Sequence, residues 1–268
     1  MQLLKRAAAA LCLLPMLLRA DEPAWKSTLT DPALGPHSKL APCRLEYRAS
    51  WKGLIDAATM QMEFGNPANA KPGIFVVTSA SQSLGAAAAL FPYKHWFWSE
   101  LDAATFKPKL FHSVEELEDK HVNHSLDYGP AGVHCSQTTK VTKTGAEYTN
   151  AKDFAFAPVL DIFSAMLFIR SQELPADGSY TFVIQPGETP YLANVRVVGR
   201  EIHEGKNAIH LSVAMQKIST KTMGLKPYKK FKEASLWLSD DEDRVPLEIR
   251  VAAYVGDVRL ILSKNTKF

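Results

Sequence analysis

Asp161 and Arg170 are the charged residues whose positions best suit a ligand site. They flank residues 162–169, which are apolar except for Ser164. If this segment is a helix, nine residues of separation put the two side chains about half a turn out of phase, so they cannot pair with each other. Each then contacts either a ligand in a polar pocket between helix and sheet, or the ends of the helix itself. The second interpretation, with Asp161 as the N-cap and Arg170 on the last carbonyl groups, is favoured.

Trp96 and Trp98 form the second candidate ligand site. They alternate with Phe97, so a strand places the two indole rings on one face and the Phe97 ring on the other. Such a pair can stack on a sugar ring or an acyl chain. The alternative is a strand buried on both faces, and burial in the core is the favoured interpretation.

The sequence contains no local motif for nucleophilic, phosphate or metal chemistry. Gly-x-Ser-x-Gly, glycine-rich phosphate loops and His-Glu-x-x-His are all absent. The acidic run 240–243 lacks the ligand order of a calcium loop and is interpreted as a solvated turn. Five histidines could converge only through the fold: His95, His112, His134, His203 and His210. We therefore predict no cofactor, no metal and no catalytic residue, although two carboxylates distant in sequence would leave no motif.

The elements that must position these residues are mostly strands. Apolar and polar residues alternate in many short runs, as in Leu45, Tyr47, Ala49 and Trp51, and glycines separate the runs. Strands do not alternate regularly with helices, which argues against parallel α/β folds. The sequence predicts a mainly β fold, an antiparallel barrel or sandwich of roughly a dozen strands.

One segment has helical rather than strand periodicity. Ile162, Phe163, Met166 and Ile169 recur at helical spacing within residues 158–170. Because the segment is apolar almost all round, we expect one helix near 158–170, buried against the sheet.

The first twenty residues have the pattern of a signal peptide. Lys5 and Arg6 precede a short apolar run that ends near Ala20, which places the mature start at Asp21. The expected location is periplasmic or otherwise exported, without a transmembrane anchor after cleavage. Residues 21–41 are predicted to be a mobile or surface-hugging lead-in, and residues 42–268 a single β-rich domain.

Removal of the signal peptide also changes charge and cysteine content. The remaining chain has 28 basic and 28 acidic residues, so it has no basic field of the kind that nucleic acid requires. It keeps two cysteines, Cys43 and Cys135, which in an oxidising compartment either form a disulfide or remain two free buried thiols.

Four segments in order give the chain its resemblance to a known family. They are residues 47–53, 161–170, 199–201 and 236–247. Together they resemble the exported bacterial family catalogued as domain of unknown function 3108. The resemblance implies an export signal and a β-rich barrel-like or sandwich-like domain. It implies no established activity and supplies no catalytic residues.

The predicted function is that of a non-catalytic envelope protein. Its partner would be an apolar or lipid ligand, a glycan, or another envelope protein. The alternatives are a periplasmic glycan hydrolase with paired carboxylates and a purely structural interaction module. An apolar cavity running through the protein would favour a lipid carrier. Carboxylates that converge in a cleft would favour an enzyme. A filled core with an exposed apolar patch would favour an interaction module.

Overall fold

The computed structural model describes residues 22–228, 231–253 and 256–268. Within them the first eight strands are β1 (Cys43–Trp51), β2 (Ile55–Phe64), β3 (Ile74–Ser83), β4 (Tyr93–Asp102), β5 (Pro108–Leu117), β6 (Lys120–Gly129), β7 (Gly132–Val141) and β8 (Glu147–Phe154). The remaining strands are β9 (Ser179–Ile184), β10 (Tyr191–His203), β11 (Lys206–Ile218), β12 (Leu225–Pro227), β13 (Phe231–Ser239), β14 (Pro246–Ala253) and β15 (Gly256–Lys267). The α-helices are α1 (Gly85–Leu90) and α2 (Ile162–Ser171).

All fifteen strands belong to one antiparallel sheet. Its order is β8-β7-β6-β5-β4-β3-β2-β1-β15-β14-β13-β11-β10-β9, with β12 added beside β11. Two meanders of consecutive strands therefore meet at the pair formed by β1 and β15. The prediction of a mainly β, antiparallel fold is confirmed, and β8 and β9 end the strand order of a sheet that is not closed.

The turn between β1 and β2 contains the glycine that separates the two alternating runs of the sequence. Between β1 and β2, Lys52 and Gly53 both have positive φ, of 55° and 71°. Two consecutive residues of this kind match the twist of the adjoining strands, which glycine permits at little cost. The predicted hairpin is confirmed by the pairing of Trp51 with Ile55.

The core lies on the inner face of the sheet, where α2 also packs. Phe163 and Leu167 join an apolar cluster built mainly from the first meander, whereas Ala165, Phe168 and Ile169 join a cluster built mainly from the second. The helix thus links the cores of the two meanders. No helix within the described residues has the length and apolar character needed to cross a membrane.

Helix α2 differs in detail from the prediction. It begins at Ile162 rather than Pro158, because Leu160 is extended and pairs with Ile184 of β9. Phe163 and Ile169 are buried as expected, whereas Ile162 and Met166 are only partly buried. Leu167 and Phe168 are the fully enclosed positions instead. Almost every side chain from 163 to 171 is buried, as the all-round apolar pattern predicts.

The segment 22–41 lies along the body of the protein. Trp25 is buried, and its indole N–H donates a 2.7 Å hydrogen bond to the carbonyl oxygen of Met223. The backbone N–H of Thr30 donates to the carbonyl oxygen of Thr181 on β9, at 2.7 Å. These contacts cover the outer edge of β9. The predicted signal peptide lies outside the described residues.

Candidate ligand groove

A groove of about 580 Å³ lies on the outer face of strands β1 to β5. Its walls are mainly the outward side chains of these strands, with Ser263 of β15. The outward side chains are the charged Glu46, Arg48, Lys94 and Glu116, the polar Thr59, Gln61 and Gln82, and Ala80, Trp96 and Val114; Tyr47, Met60, Ser81 and His95 complete the lining. Most of the outward side chains of the groove are thus charged or polar, and Trp96 is the one large ring among them.

Strand pairing explains why the Trp96 ring is accessible. Gln61, Ala80, Trp96 and Val114 lie side by side across β2 to β5. Successive residues of a strand point to opposite faces, so all four point outward. Because the neighbours Ala80 and Val114 are short, they leave the indole uncovered, and Trp96 is 43% exposed.

Trp96 and Trp98 form a stacked pair, and the expectation that they belong to the core is corrected. Their ring centroids are 5.9 Å apart with planes 30° from parallel. Trp98 is half-buried, and its indole N–H donates to Glu100 at 3.1 Å while the Lys71 ammonium lies 5.4 Å from its ring centroid. The core ring in this strand is that of Phe97, which packs against the inner cluster. Trp98 therefore holds Trp96 in place from one side.

The charged residues around the groove form loose surface ion pairs. Glu46 lies 3.6 Å from Lys264, and Lys94 lies 4.0 Å from Glu116. Exposed pairs of this kind contribute roughly 0–1 kcal/mol each. Their side chains can therefore exchange a protein partner for a ligand hydroxyl at little cost.

A second groove of about 250 Å³ adjoins the first. The two share Trp96 and Val114, and the second continues across β5, β6 and β7. Its lining is mostly uncharged and polar: His112, Ser113, Asn123, His124, Ser125, Ser136 and Thr138. Trp96 thus stands between two polar grooves on one face of the sheet.

Asp161 lies inside the protein and caps α2. Its carboxylate accepts hydrogen bonds from the Ser164 backbone N–H, at 2.6 Å, and from the Ser99 hydroxyl of β4. The Ser164 hydroxyl in turn accepts from the Asp161 backbone N–H at 2.8 Å, which completes a capping box. Burial raises the pKa of Asp161, and the hydrogen bonds from Ser99 and Ser164 oppose that rise. The capping prediction is confirmed, while ligand binding by this residue stays a prediction.

Arg170 lies at the other end of α2 and is also buried. Its Nε and Nη2 donate to the carbonyl oxygens of Arg244, at 3.0 Å, and Asp243, at 2.9 Å. The guanidinium carbon lies 5.2 Å from the Phe64 ring centroid. The acidic run is thus the turn between β13 and β14 that the sequence indicated, and Arg170 fastens it to the helix. The expectation that Arg170 would bind the last carbonyl groups of the helix is wrong, because its hydrogen bonds go to the β13–β14 turn, while Ser171 and Gln172 donate to the Phe168 carbonyl oxygen. Binding of an external ligand by Arg170 stays a prediction.

His95 lies on the inner side of the strand that carries Trp96. Its ring stacks on Phe97, with centroids 4.1 Å apart, and its Nε2 lies 3.2 Å from the Ser79 hydroxyl. Burial lowers the pKa of His95 to about 4. The imidazole is therefore neutral at physiological pH.

Cys43 and Cys135 are free and buried, which is the second of the two alternatives considered for them. Cys43 is on β1 and Cys135 on β7, with five strands between them in the sheet. Burial raises the pKa of both thiols, that of Cys135 to about 11. Two such thiols pack as small apolar side chains and react slowly.

A separate polar cluster surrounds Trp237 on the outer face of the second meander. The rings of His203 and His210 stack nearly parallel to the indole, at 4.3 and 4.4 Å between centroids. The indole N–H donates to Glu201 at 2.6 Å, and the Arg250 guanidinium lies 4.8 Å from the ring. The cluster joins two segments that carried the family resemblance, 199–201 and 236–247.

The same cluster contains the set of side chains that comes nearest to a metal-ligand arrangement among the described residues. Ligand atoms of His203, Glu204 and Glu248 lie within 4.8 Å of one another. However, Glu248 is buried and both of its oxygens are engaged, one by His203 at 2.8 Å and one by Arg250 at 2.7 Å. This geometry is that of a hydrogen-bonded ion pair.

Comparison with known proteins gives one family and a similar solved structure. The family model described as "Protein of unknown function (DUF3108)" matches residues 46–263. A crystal structure of a beta-barrel-like protein of domain of unknown function DUF1849 from Brucella abortus aligns with 85% of this chain and 98% of its own. Its TM-score is 0.54 at 13% sequence identity, so the likeness concerns the fold alone. No curated protein matches the chain.

Proposed function

The chain belongs to DUF3108, a family of proteins of unknown function, and from that premise we propose that it is an exported, non-catalytic protein that binds a glycan chain of the cell envelope. The observation that carries the proposal is Trp96, a 43% exposed indole held by Trp98 between two polar grooves. Sugar rings present apolar C–H faces and a polar periphery. They therefore stack on an indole while their hydroxyl groups bind surrounding polar side chains.

The lining of the grooves favours a glycan over an acyl chain. Amide and hydroxyl side chains, among them Gln61, Gln82 and Thr59, surround the indole. An acyl chain would leave these groups without hydrogen-bond partners, whereas sugar hydroxyl groups would satisfy them. The two grooves that share Trp96 also suit an extended chain of sugars.

The arrangement of charges supports binding rather than hydrolysis. Glycoside hydrolysis requires two carboxyl groups on either side of the scissile bond. The carboxylates of the first groove, Glu46 and Glu116, each have a lysine partner, Lys264 and Lys94. Both side chains face solvent, with 38% of Glu46 and 48% of Glu116 exposed.

Calorimetric titration tests the proposal. Protein purified from cells is titrated with chito-oligosaccharides of increasing length and with soluble peptidoglycan fragments. We expect saturable binding that strengthens with chain length and that Trp96→Ala weakens by about tenfold or more. Tyr148→Ala is the matched control, because Tyr148 is an exposed aromatic residue of β8 outside both grooves.

The outcomes separate the alternatives. Equal loss of binding in Trp96→Ala and Tyr148→Ala, or no saturable binding of any glycan by the wild-type protein, contradicts the proposal. Release of shorter oligosaccharides during the titration points instead to a hydrolase.

Export is the second part of the proposal and has its own test. The support is the charged start, the apolar run and Ala20 in the sequence. The intact mass of protein recovered from the periplasm should correspond to a chain that begins near Asp21. A mass that includes residues 1–20 contradicts cleavage at that site.

A further inference from the structure

One end of the sheet exposes an unusual number of apolar side chains. The described residues contain eleven large apolar side chains that are exposed, and six of them lie at this end. They are Trp51, Leu54, Ile55, Leu90, Phe91 and Val258, which we call the apolar end. Leu54, Phe91 and Leu90 are the most open, at 86, 76 and 68% exposure.

Strand pairing brings these residues together from three separate connections. Trp51 pairs with Ile55 across the β1–β2 turn and with Val258 of β15 on its other side. The backbone N–H of Leu84, just before α1, donates to the carbonyl oxygen of Ala57 on β2 at 2.8 Å. Helix α1 and Phe91 therefore stand beside the β1–β2 turn. The apolar end is one contiguous region of the surface.

Basic side chains accompany the apolar ones. The Lys52 ammonium lies 5.6 Å from the Trp51 ring centroid, and the Arg259 guanidinium lies beside Gly53 in the same turn. Of the nearby acidic residues, Asp56 is paired with Arg48 at 3.5 Å, and Asp257 lies next to Val258 on β15. Tryptophan, lysine and arginine around protruding apolar side chains are the composition of a surface that meets a membrane interface.

We propose that the apolar end docks on the surface of an anionic lipid bilayer. Its most exposed side chains, Leu54, Leu90 and Phe91, lie in the connections between strands, so they can enter the boundary between headgroups and acyl chains while the strands stay outside. The basic side chains then face lipid phosphates. A stable protein interface takes roughly 20–30 residues on each side, which six exposed apolar side chains do not provide.

Co-sedimentation with vesicles tests the proposal. Protein purified from cells is mixed with vesicles of phosphatidylcholine alone or with added phosphatidylglycerol. We expect binding to the phosphatidylglycerol vesicles that Leu54→Ser and Phe91→Ser together weaken by about tenfold. Ile202→Ser is the matched control, because Ile202 is 69% exposed on β10, away from this end.

Each outcome bears on the proposal. Loss of binding in the double variant with retention in Ile202→Ser supports it, since residues this exposed can be replaced without unfolding the protein. Failure of the wild-type protein to sediment with anionic vesicles overturns it. Concentration-dependent dimers that the double variant abolishes, without vesicle binding, overturn it in favour of a second copy of the chain. Glycan titration of the double variant is unaffected in every case, so this test is independent of the groove.

Discussion

His95 couples the stability of the fold to pH. Its folded pKa of about 4 lies below the unfolded value near 6.5, because burial disfavours the charged form. As the pH falls below 6.5, the unfolded chain binds a proton that the folded protein does not. Stability is therefore lost between pH 6.5 and pH 4, by about 3 kcal/mol at most.

Urea unfolding of wild type and His95→Gln at several pH values isolates this effect, because other titrating groups are common to both proteins. We expect the difference in unfolding free energy between them to shift by about 2–3 kcal/mol in favour of the variant as pH falls from 7 to 4. Parallel pH dependences of the two proteins would show that His95 does not titrate in this way.

Asp161 is expected to act on stability through the start of α2. Asp161→Ala removes the acceptor of the Ser164 backbone N–H and of the buried Ser99 hydroxyl. The expected loss of unfolding free energy is about 2–3 kcal/mol. Asp161→Asn is the control, since asparagine also caps helices, and it should lose less. If instead Asp161→Asn retains stability but abolishes glycan binding, the residue contacts ligand.

At the scale of the element, two glycines with positive φ should respond very differently to alanine. At Gly132, which opens β7 with a φ of 134°, an added Cβ would lie 2.1 Å from the Phe154 carbonyl oxygen of β8. A backbone atom cannot move aside as the end of a flexible side chain can. Gly132→Ala should therefore lower the free energy of unfolding by more than about 3 kcal/mol. At Gly145, in the β7–β8 turn with a φ of 69°, nothing lies within 4 Å.

Gly145→Ala should therefore lower the free energy of unfolding only by the strain of a non-glycine residue at positive φ, about 1 kcal/mol. Thermal denaturation of the two variants measures the difference. Similar melting temperatures for both would mean that the β6–β7 turn can move away from β8.

The elements that the sequence indicated are those with clear periodicity. Alternation along β1 and β2 and the glycine between them were enough to predict that hairpin. The sequence did not predict strand β8, because seven of its eight residues are exposed and apolar residues do not alternate along it. It is held mainly by backbone pairing with β7, and Phe154 is its one buried side chain, so it has no alternating pattern of side chains to recognise.

For the candidate groove, the sequence indicated individual residues but not how they are arranged in the fold. Trp96 and Trp98 stood out by type and spacing, but their exposure depends on Ala80 and Val114 in neighbouring strands. The groove walls come from six strands, so no local motif contains them. The Trp237 cluster was beyond prediction for the same reason, since His203, His210 and Glu248 meet only through sheet order.

For the whole molecule, Trp25 is expected to anchor the segment 22–41. It is 7% exposed, and its ring meets Phe156 edge to face at 5.3 Å. Trp25→Ala should lower the unfolding free energy by about 3–5 kcal/mol and open the segment to proteases. Trp51→Ala is the control, because Trp51 is 43% exposed at a turn and should cost much less. Limited proteolysis with denaturation measures both, and equal losses would contradict an anchoring role.

The junction of β1 with β15 sets the order in which the sheet can be completed. Most strands pair with a close neighbour in the chain, whereas Cys43 pairs with Lys267 and Trp51 with Val258. Such a contact closes a loop of almost the whole domain, which is slow and entropically costly. A chain that emerges with its first strand leading could build its early hairpins at once. The pairing of β1 with β15 would form only when the last strand is available, so the complete sheet would form only after the whole chain has emerged.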